Sequence, residues 1–194
     1  MSRNILVRFW HFPVVTLGPG RRLGIWFQGC SIHCKGCIAP ENQPFDETFS
    51  MSLKDFIDEI SHVLSGADGV TISGGEPLDQ KEALFSLLTE INSLGKSDIL
   101  LYSGYSKGTA LEILPELAHM VAALISEPFV EGDITSAVWK GSENQKITVF
   151  RKQYSKRYED WCSSTVRNMQ IIRKNTSSYL LGIPKQGDLS MLRM

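Results

Sequence analysis

Cys30, Cys34 and Cys37 stand in the run Cys30-Ser31-Ile32-His33-Cys34-Lys35-Gly36-Cys37 and are three of the chain's four cysteines. Thiolates spaced in this way can each hold one iron of a cubane cluster. A fourth thiolate normally closes an electron-transfer cluster, so three of them leave one iron open to a ligand that is not protein. Zinc is the competing occupant, because it accepts three Cys and one His, and His33 precedes Cys34. Zinc modules usually bring their ligands as separated pairs, however, and His33 is crowded between liganding neighbours. It reads as an exposed or cluster-shielding side chain. The fourth cysteine, Cys162, has no second cysteine near it and reads as a buried or partly exposed thiol.

The elements that carry these residues follow a regular alternation. Leu23 to Gln28 is a strand that ends at the cysteines, and Leu53, Phe56, Ile57, Ile60, Val63 and Leu64 recur at helical spacing after the start signal Ser52 and Asp55. Gly69 to Ser73 reads as a second strand running into the turn Gly74-Gly75-Glu76-Pro77. Asp79 and Glu82 then open a helix with Leu84, Leu87, Leu88, Ile91 and Leu94 on one face. A third unit places the strand Asp98 to Tyr102 before Ser103-Gly104-Tyr105 and a helix announced by Thr109 and Glu112 and weakened by Pro115. The strand Ala122 to Ser126 leads into Glu127-Pro128-Phe129, and Lys146 to Phe150 reads as a fifth strand.

Strands alternating with helices predict an α/β fold with a mainly parallel sheet. In such sheets ligands gather outside the carboxyl ends of the strands. The cysteine loop, Gly74 to Pro77, Ser103 to Tyr105 and Ser126 to Pro128 all fall on that side, so distant motifs converge on one mouth. From about Arg151 the pattern breaks. Asn168 to Arg173 and Tyr179 to Ile183, separated by the polar run Lys174 to Ser178, predict a hairpin.

With 194 residues, 42% apolar and 21% charged, the chain fits one globular domain with a small appendage, residues 1–150 and a C-terminal extension, 151–194, packed on or near it. The net charge of -1 is unevenly spread, and after Glu143 Lys and Arg outnumber Asp and Glu. The positive residues are scattered and no stacking-aromatic motif accompanies them, so they read as a solvated surface and not as a nucleic-acid interface. Ile5, Leu6 and Val7 are interrupted by Arg8 and do not form a signal peptide, and no run approaches the roughly 20 apolar residues of a membrane span. The unequal cysteine spacing is no disulfide framework. The expected setting is the reducing cytoplasm, with no membrane partner.

Taken together, the three cysteines, Gly18-Pro19-Gly20-Arg21, Gln28-Gly29 and Ser73-Gly74-Gly75-Glu76-Pro77-Leu78 resemble the radical S-adenosylmethionine superfamily. Within it the chain is most similar to the activating enzymes of anaerobic ribonucleotide reductase. Tyr102-Ser103-Gly104-Tyr105 resembles their aromatic-Thr-Gly-Tyr segment, and Trp139-Lys140-Gly141-Ser142-Glu143-Asn144-Gln145 resembles their Trp-Arg-Gly-Ser-Ser-Asn-Gln segment. These matches are in order and cover residues 18 to about 147.

The resemblance implies a single-cluster radical enzyme. Its fold would be an incomplete (β/α) barrel of about six βα units in residues 1–150, carrying a 4Fe-4S cluster on Cys30, Cys34 and Cys37. The open iron would chelate the amino and carboxylate groups of S-adenosylmethionine. Reduction would cleave that cofactor to a 5'-deoxyadenosyl radical, which abstracts hydrogen from a substrate. Gly74, Gly75, Glu76 and Pro77 would meet its methionyl part, with Glu76 accepting from the ammonium. Gly36, Cys37 and Ile38 would lie near the adenine.

Each of these motifs also has a plainer reading: a tight strand-to-helix turn for Gly74 to Pro77, an ordinary turn for Gly18-Pro19-Gly20, and core packing for Tyr102 and Tyr105. The chain also departs from the pattern. Ile38-Ala39-Pro40-Glu41 stands where the activases place an aromatic or His and then Asn, and Ser126-Glu127 stands where they have Asp-Gly. The tail beyond the Gly-Ser-x-Asn-Gln segment is longer than theirs. The expected partner is a large glycyl-radical enzyme, with flavodoxin or ferredoxin as electron donor. Two other readings remain at this point: a radical enzyme acting on a peptide or small metabolite, and a zinc-stabilised interaction module.

Overall fold

The computed structural model describes residues 4–174 and 177–185. Their centre is a seven-stranded sheet in the order β3-β1-β2-β4-β5-β6-β7. The strands are β1 (Asn4–Val14), β2 (Arg22–Phe27), β3 (Ser50–Ser52), β4 (Gly69–Gly74), β5 (Ile99–Tyr102), β6 (Ala123–Ser126) and β7 (Lys146–Val149). The four strands β2, β4, β5 and β6 are parallel neighbours. β1, β3 and β7 pair antiparallel at the flanks. The parallel part is thus four strands, fewer than the expected count of βα units. β7, read as the fifth strand of the series, turns back against β6 because the Phe129 to Gln145 connection contains no crossover helix.

The sheet's two faces follow from the two-residue period of its strands. Leu23, Ile25, Phe27, Val70, Ile72, Ile99, Leu101 and Leu124 point into the main core with the helices α1 (Leu53–Leu64), α2 (Lys81–Ser93), α3 (Lys107–Ile113) and α4 (Leu117–Met120). α1 begins where expected, with the Ser52 hydroxyl accepting from the Asp55 amide at 3.1 Å, and it buries Leu53, Phe56, Ile60 and Leu64. Fully burying such side chains contributes roughly 1.5 to 3 kcal/mol each. α2 buries Leu84, Leu87, Leu88 and Ile91, but Leu94 falls past its last turn and is 49% exposed. Pro115 divides the third helical segment into α3 and α4, since it lacks the amide that a continuous helix needs.

The intervening residues Gly24, Trp26, Thr71, Ser73, Leu100 and Tyr102 point to the opposite face. There the chain beyond residue 150 packs as α5 (Ser155–Cys162) and an antiparallel hairpin, β8 (Gln170–Lys174) with β9 (Ser177–Leu181). Its centre, Asn175 and Thr176, lies outside the described residues. Tyr158 joins the cluster containing Leu100, Ile125 and Trp139, and Leu181 joins Phe9, Val14 and Leu17. Tyr179 stacks on Phe9 at a centroid separation of 4.4 Å.

At the amino ends of the strands, Arg22 is wholly buried. Its guanidinium donates to Thr71 Oγ1 at 2.7 Å, the Val70 carbonyl at 2.7 Å and the Asp98 carbonyl at 2.9 Å, and pairs with Asp98 Oδ1 at 3.3 Å. The Tyr158 hydroxyl donates to Asp98 Oδ1 at 2.6 Å, and Arg157 approaches Asp98 Oδ2 at 3.4 Å. Burial pushes the Tyr158 phenol up, so it keeps the proton it donates.

Candidate metal centre

The cysteine loop leaves β2 at its carboxyl end and is held there mainly by backbone hydrogen bonds. The Gly29 amide donates to the Asn42 carbonyl at 2.8 Å and the Cys30 amide to the Gln43 carbonyl at 2.9 Å, so residues 42–43 frame the first cysteine. Gln28 is fully buried and ties the same segment down, donating to the Pro44 carbonyl at 2.6 Å and the Glu41 carbonyl at 3.1 Å. Gly29 has φ +99°, and a Cβ there would lie 2.4 Å from the Phe45 ring. Only glycine fits both constraints.

Cys30, Cys34 and Cys37 are free thiols of intermediate exposure. The Cys30 sulfur accepts from the Ile32 and His33 amides and the Cys34 sulfur from the Phe129 amide. Partial burial nevertheless holds both thiols above their ordinary value. His33 is exposed in the left-handed region with φ +50°, and its Nδ1 lies 3.5 Å from Gln43 Oε1.

Among the described residues, no three His, Cys, Asp or Glu side chains converge on the position of a single ion. Zinc needs such convergence, because it draws its ligands to within about 2.3 Å of one centre. A cubane instead takes each thiolate at its own corner. Three thiols on one loop, two of them lining a cavity, fit the cluster.

That cavity has a volume of about 460 Å³, within the range of small-molecule sites. Cys34, Gly36, Cys37, Ile38, Ser73 and Gly74 line it, together with Trp26 and Tyr102 from the sheet face opposite the main helices. Gly75, Glu76 and Pro77 do not line it. Gly75 is packed so closely that a Cβ would fall 2.0 Å from the Gly29 carbonyl oxygen. The close approach that these glycines permit here is that of the cysteine strand itself: the Gly75 amide donates to Phe27 at 2.8 Å and the Glu76 amide to Gly29 at 2.9 Å.

Glu76 is 1% exposed, and its carboxylate is turned into the protein. Oε1 accepts from the Leu78 amide at 3.0 Å and the Ser103 hydroxyl at 2.9 Å, and Oε2 accepts from the Gly104 amide at 2.7 Å. Those bonds clamp the β4 turn to the β5 turn. Burial pushes the Glu76 carboxyl up to about 7, against the donors that favour its ionised form.

Asp79, read from the sequence only as a helix start, proves to anchor the cysteine loop. It accepts from the Ser31 amide at 2.6 Å, the Ser31 hydroxyl at 3.0 Å and the Tyr105 hydroxyl at 2.8 Å. The signal was its position one turn beyond a glycine-rich strand end, where a carboxylate can cap two elements at once. Glu127 has φ +86°, a conformation that favours glycine, and its amide donates to the Tyr105 carbonyl at 3.0 Å. The Asp-Gly of the activases would meet no strain at this place.

The connection from β6 to β7 supplies the far wall through Phe129, Glu131, Gly141 and Gln145. Gln145 holds its own loop, its Oε1 accepting from the Gly141 amide at 2.7 Å and its Nε2 donating to the Glu127 carbonyl at 3.2 Å. Tyr102 lines the cavity with its hydroxyl donating to the Trp139 carbonyl at 3.1 Å, and burial holds its phenol protonated. The separate motifs at the carboxyl ends are therefore bonded to one another.

Known proteins are similar to this chain in sequence. The 4Fe-4S single cluster domain family matches residues 16–148. The anaerobic ribonucleoside-triphosphate reductase-activating protein of Enterobacteria phage T4 is 27% identical over 136 residues, covering 67% of this chain and 85% of that protein. The protein of the same name from Escherichia coli K12 is 26% identical over 147 residues, covering 71% and 94%. A putative glycyl-radical enzyme activating enzyme of Haemophilus influenzae is 33% identical over 90 residues, covering 45% and 34%. Its three-thiol loop, the cavity beside it and a match over most of its length show that this chain belongs to the 4Fe-4S single cluster domain family.

Proposed function

We propose that the protein is a radical S-adenosylmethionine enzyme that makes a glycyl radical on a large partner enzyme. One observation carries this reading: the three-thiol loop borders, through Cys34 and Cys37, a cavity that is also lined by the carboxyl ends of parallel strands at Ser73, Gly74 and Tyr102. Cys30, Cys34 and Cys37 would hold a 4Fe-4S cluster, and Gly36, Cys37, Ile38 and Gly74 would bound the S-adenosylmethionine. When bound, the pair supplies one-electron cleavage of the sulfonium C5'–S bond to methionine and a 5'-deoxyadenosyl radical, which takes a Cα hydrogen from the partner's glycine. The cofactors bring that reactivity, and the chain positions them.

What the chain contributes is position. Asp79 fixes Ser31 within the cysteine loop, and Glu76 locks the β4 and β5 turns together. Gly75 and Pro77 act through that packing, and Glu76 places the Gly74 backbone and not its own carboxylate at the ligand. No side-chain acid or base is required for hydrogen abstraction.

β3 and β7 are the two edges of the sheet and do not pair with each other among the described residues. We read the sheet as an incomplete barrel, residues 1–150, whose open side admits a protein loop, with residues 151–194 as its extension. Flavodoxin or ferredoxin is the proposed electron donor, and the reducing cytoplasm the proposed setting. No helix among the described residues is long and apolar enough to cross a membrane.

The test is an anaerobic assay of S-adenosylmethionine cleavage with and without candidate glycyl-radical enzymes. Protein carrying about four irons per chain should release 5'-deoxyadenosine, and the partner should acquire a glycyl radical detectable by electron paramagnetic resonance. Deuterium at the partner's glycine should appear in 5'-deoxyadenosine. Cleavage that never takes up that deuterium would sink the partner assignment and leave a peptide or metabolite as substrate.

A further inference from the structure

The family match ends at residue 148, yet the cavity does not end with it. Gly182, Ile183, Pro184 and Lys185, which follow β9, line the same space as Cys34, Cys37 and Gly74. We propose that this segment is a wall of the S-adenosylmethionine cavity that determines ligand affinity, and that Arg167 is the residue that positions it. The proposal rests on the cofactor reading above and adds residues that the family match does not reach.

Three observations carry it. The hairpin that delivers the wall is fixed to the sheet by side chains from both strands. The Gln170 carboxamide accepts from the Val15 amide at 3.2 Å and donates to the Pro13 carbonyl at 2.9 Å, while Tyr179 stacks on Phe9 and Leu181 is buried beside Val14 and Leu17. The wall is also pinned from the other side. One Arg167 nitrogen donates to the Ile183 carbonyl and another to the Ala137 carbonyl, both at 2.6 Å. A guanidinium is suited to this task, because its planar fork can hold two acceptors in fixed directions.

Third, backbone geometry fixes where the wall begins. Gly182 has φ +128°, and a Cβ there would lie 2.8 Å from the Met169 sulfur and 3.0 Å from the Asn168 carbonyl oxygen. The chain can therefore turn from β9 toward the cavity at this one position. Ala137 precedes Trp139, whose carbonyl accepts from the cavity-lining Tyr102. Arg167 thus joins the extension to the family loop on the opposite wall. The adjoining residues Gln186 to Leu189 lie outside the described residues.

The experiment measures binding of S-adenosylhomocysteine, which is not cleaved, to anaerobically prepared, iron-loaded full-length protein by calorimetry. Arg167→Ala should weaken binding about tenfold while iron content stays at the wild-type level. Arg167→Lys, which can still donate to one carbonyl, should recover part of the loss. Affinity within about twofold of wild type for Arg167→Ala, with iron retained, would overturn the proposal.

If Arg167→Ala loses iron or fails to fold, the double variant Ile183→Ala/Lys185→Ala decides. Weakened binding there supports the wall, and unchanged binding refutes it. Wild-type protein that carries its irons yet binds no S-adenosylhomocysteine would count against the cofactor reading itself and not against the role of Arg167.

Discussion

The two ends of the parallel strands are built on opposite principles. At the amino ends, buried charge is enclosed: Arg22 and Asp98 are 0% and 3% exposed and are bonded to Thr71 and Tyr158. At the carboxyl ends, glycines bring strand ends together, carbonyls and amides do most of the holding, and the thiols stay partly exposed. The first end has given up access for rigidity. The second keeps three reactive groups accessible and draws its rigidity from Glu76 and Asp79, which stand behind the cavity and not in it. Stability and chemistry should therefore respond to mutation at different ends.

The largest expected effect is at the mouth. Cys34→Ala should abolish S-adenosylmethionine cleavage and lower the iron content, since a two-thiolate loop cannot complete the set that holds the cluster. The metal-free chain should keep its stability to within about 1 kcal/mol, because the thiol is not part of the core. Iron analysis and urea unfolding of the metal-free variant check the two halves. A large loss of stability would show that the mouth also carries the fold.

Asp98→Ala is the converse experiment. It leaves the Arg22 guanidinium buried without its carboxylate and should cost about 3–5 kcal/mol, read as a shift in the urea midpoint. Arg22 keeps its bonds to the Thr71 hydroxyl and to the Val70 and Asp98 carbonyls. The folded fraction should therefore load iron normally. A lower iron content per folded chain would break the separation of the two ends.

Much of this division was legible in the sequence and part was not. The parallel strands, their helices and the convergence of the cysteine loop with Gly74 to Pro77 follow from period and turn chemistry. β1 escaped notice because bulges between Val7 and Phe9 and between His11 and Val14 break its alternation, and Arg8 and Pro13 interrupt the apolar run. Glu76 reads in the sequence as an acceptor for a ligand's ammonium, but a sequence does not say which way a carboxylate faces, and here it turns into the protein. Asp79 carried the ordinary mark of a helix start. The wall at Gly182 to Lys185 depends on how a hairpin folds back over some 150 residues of chain, and no local pattern encodes that.

Glu76 offers a smaller test of the mouth's own rigidity. Its pKa in the folded chain is raised to about 7 from an ordinary 4.5, so the folded state holds a proton that the unfolded state has released between those values. The contribution of this group should then be greatest below about pH 4.5, fall by roughly 3 kcal/mol as pH rises, and level off above about 7. The metal-free chain is the sample, so that acid loss of iron does not enter the profile. Glu76→Gln should flatten that limb of the curve. A profile that the variant leaves unchanged would mean that the three donors hold the carboxylate ionised throughout.

The smallest expected effect concerns how firmly the extension joins these two ends. Tyr179 and Phe9 stack with an interplanar angle of 13°, and such a pair contributes about 1 kcal/mol beyond the area it buries. Tyr179→Leu keeps much of the apolar surface and removes the stack, so the thermal midpoint should fall by about 3 °C for a chain of this size. Tyr179→Phe should leave it near wild type. The cavity wall begins three residues later at Gly182, held independently by Arg167, so ligand affinity should move less than stability does. If Tyr179→Leu weakens S-adenosylhomocysteine binding as much as Arg167→Ala, the hairpin and the wall act as one body, and the carboxyl-end site extends down the whole second face of the sheet.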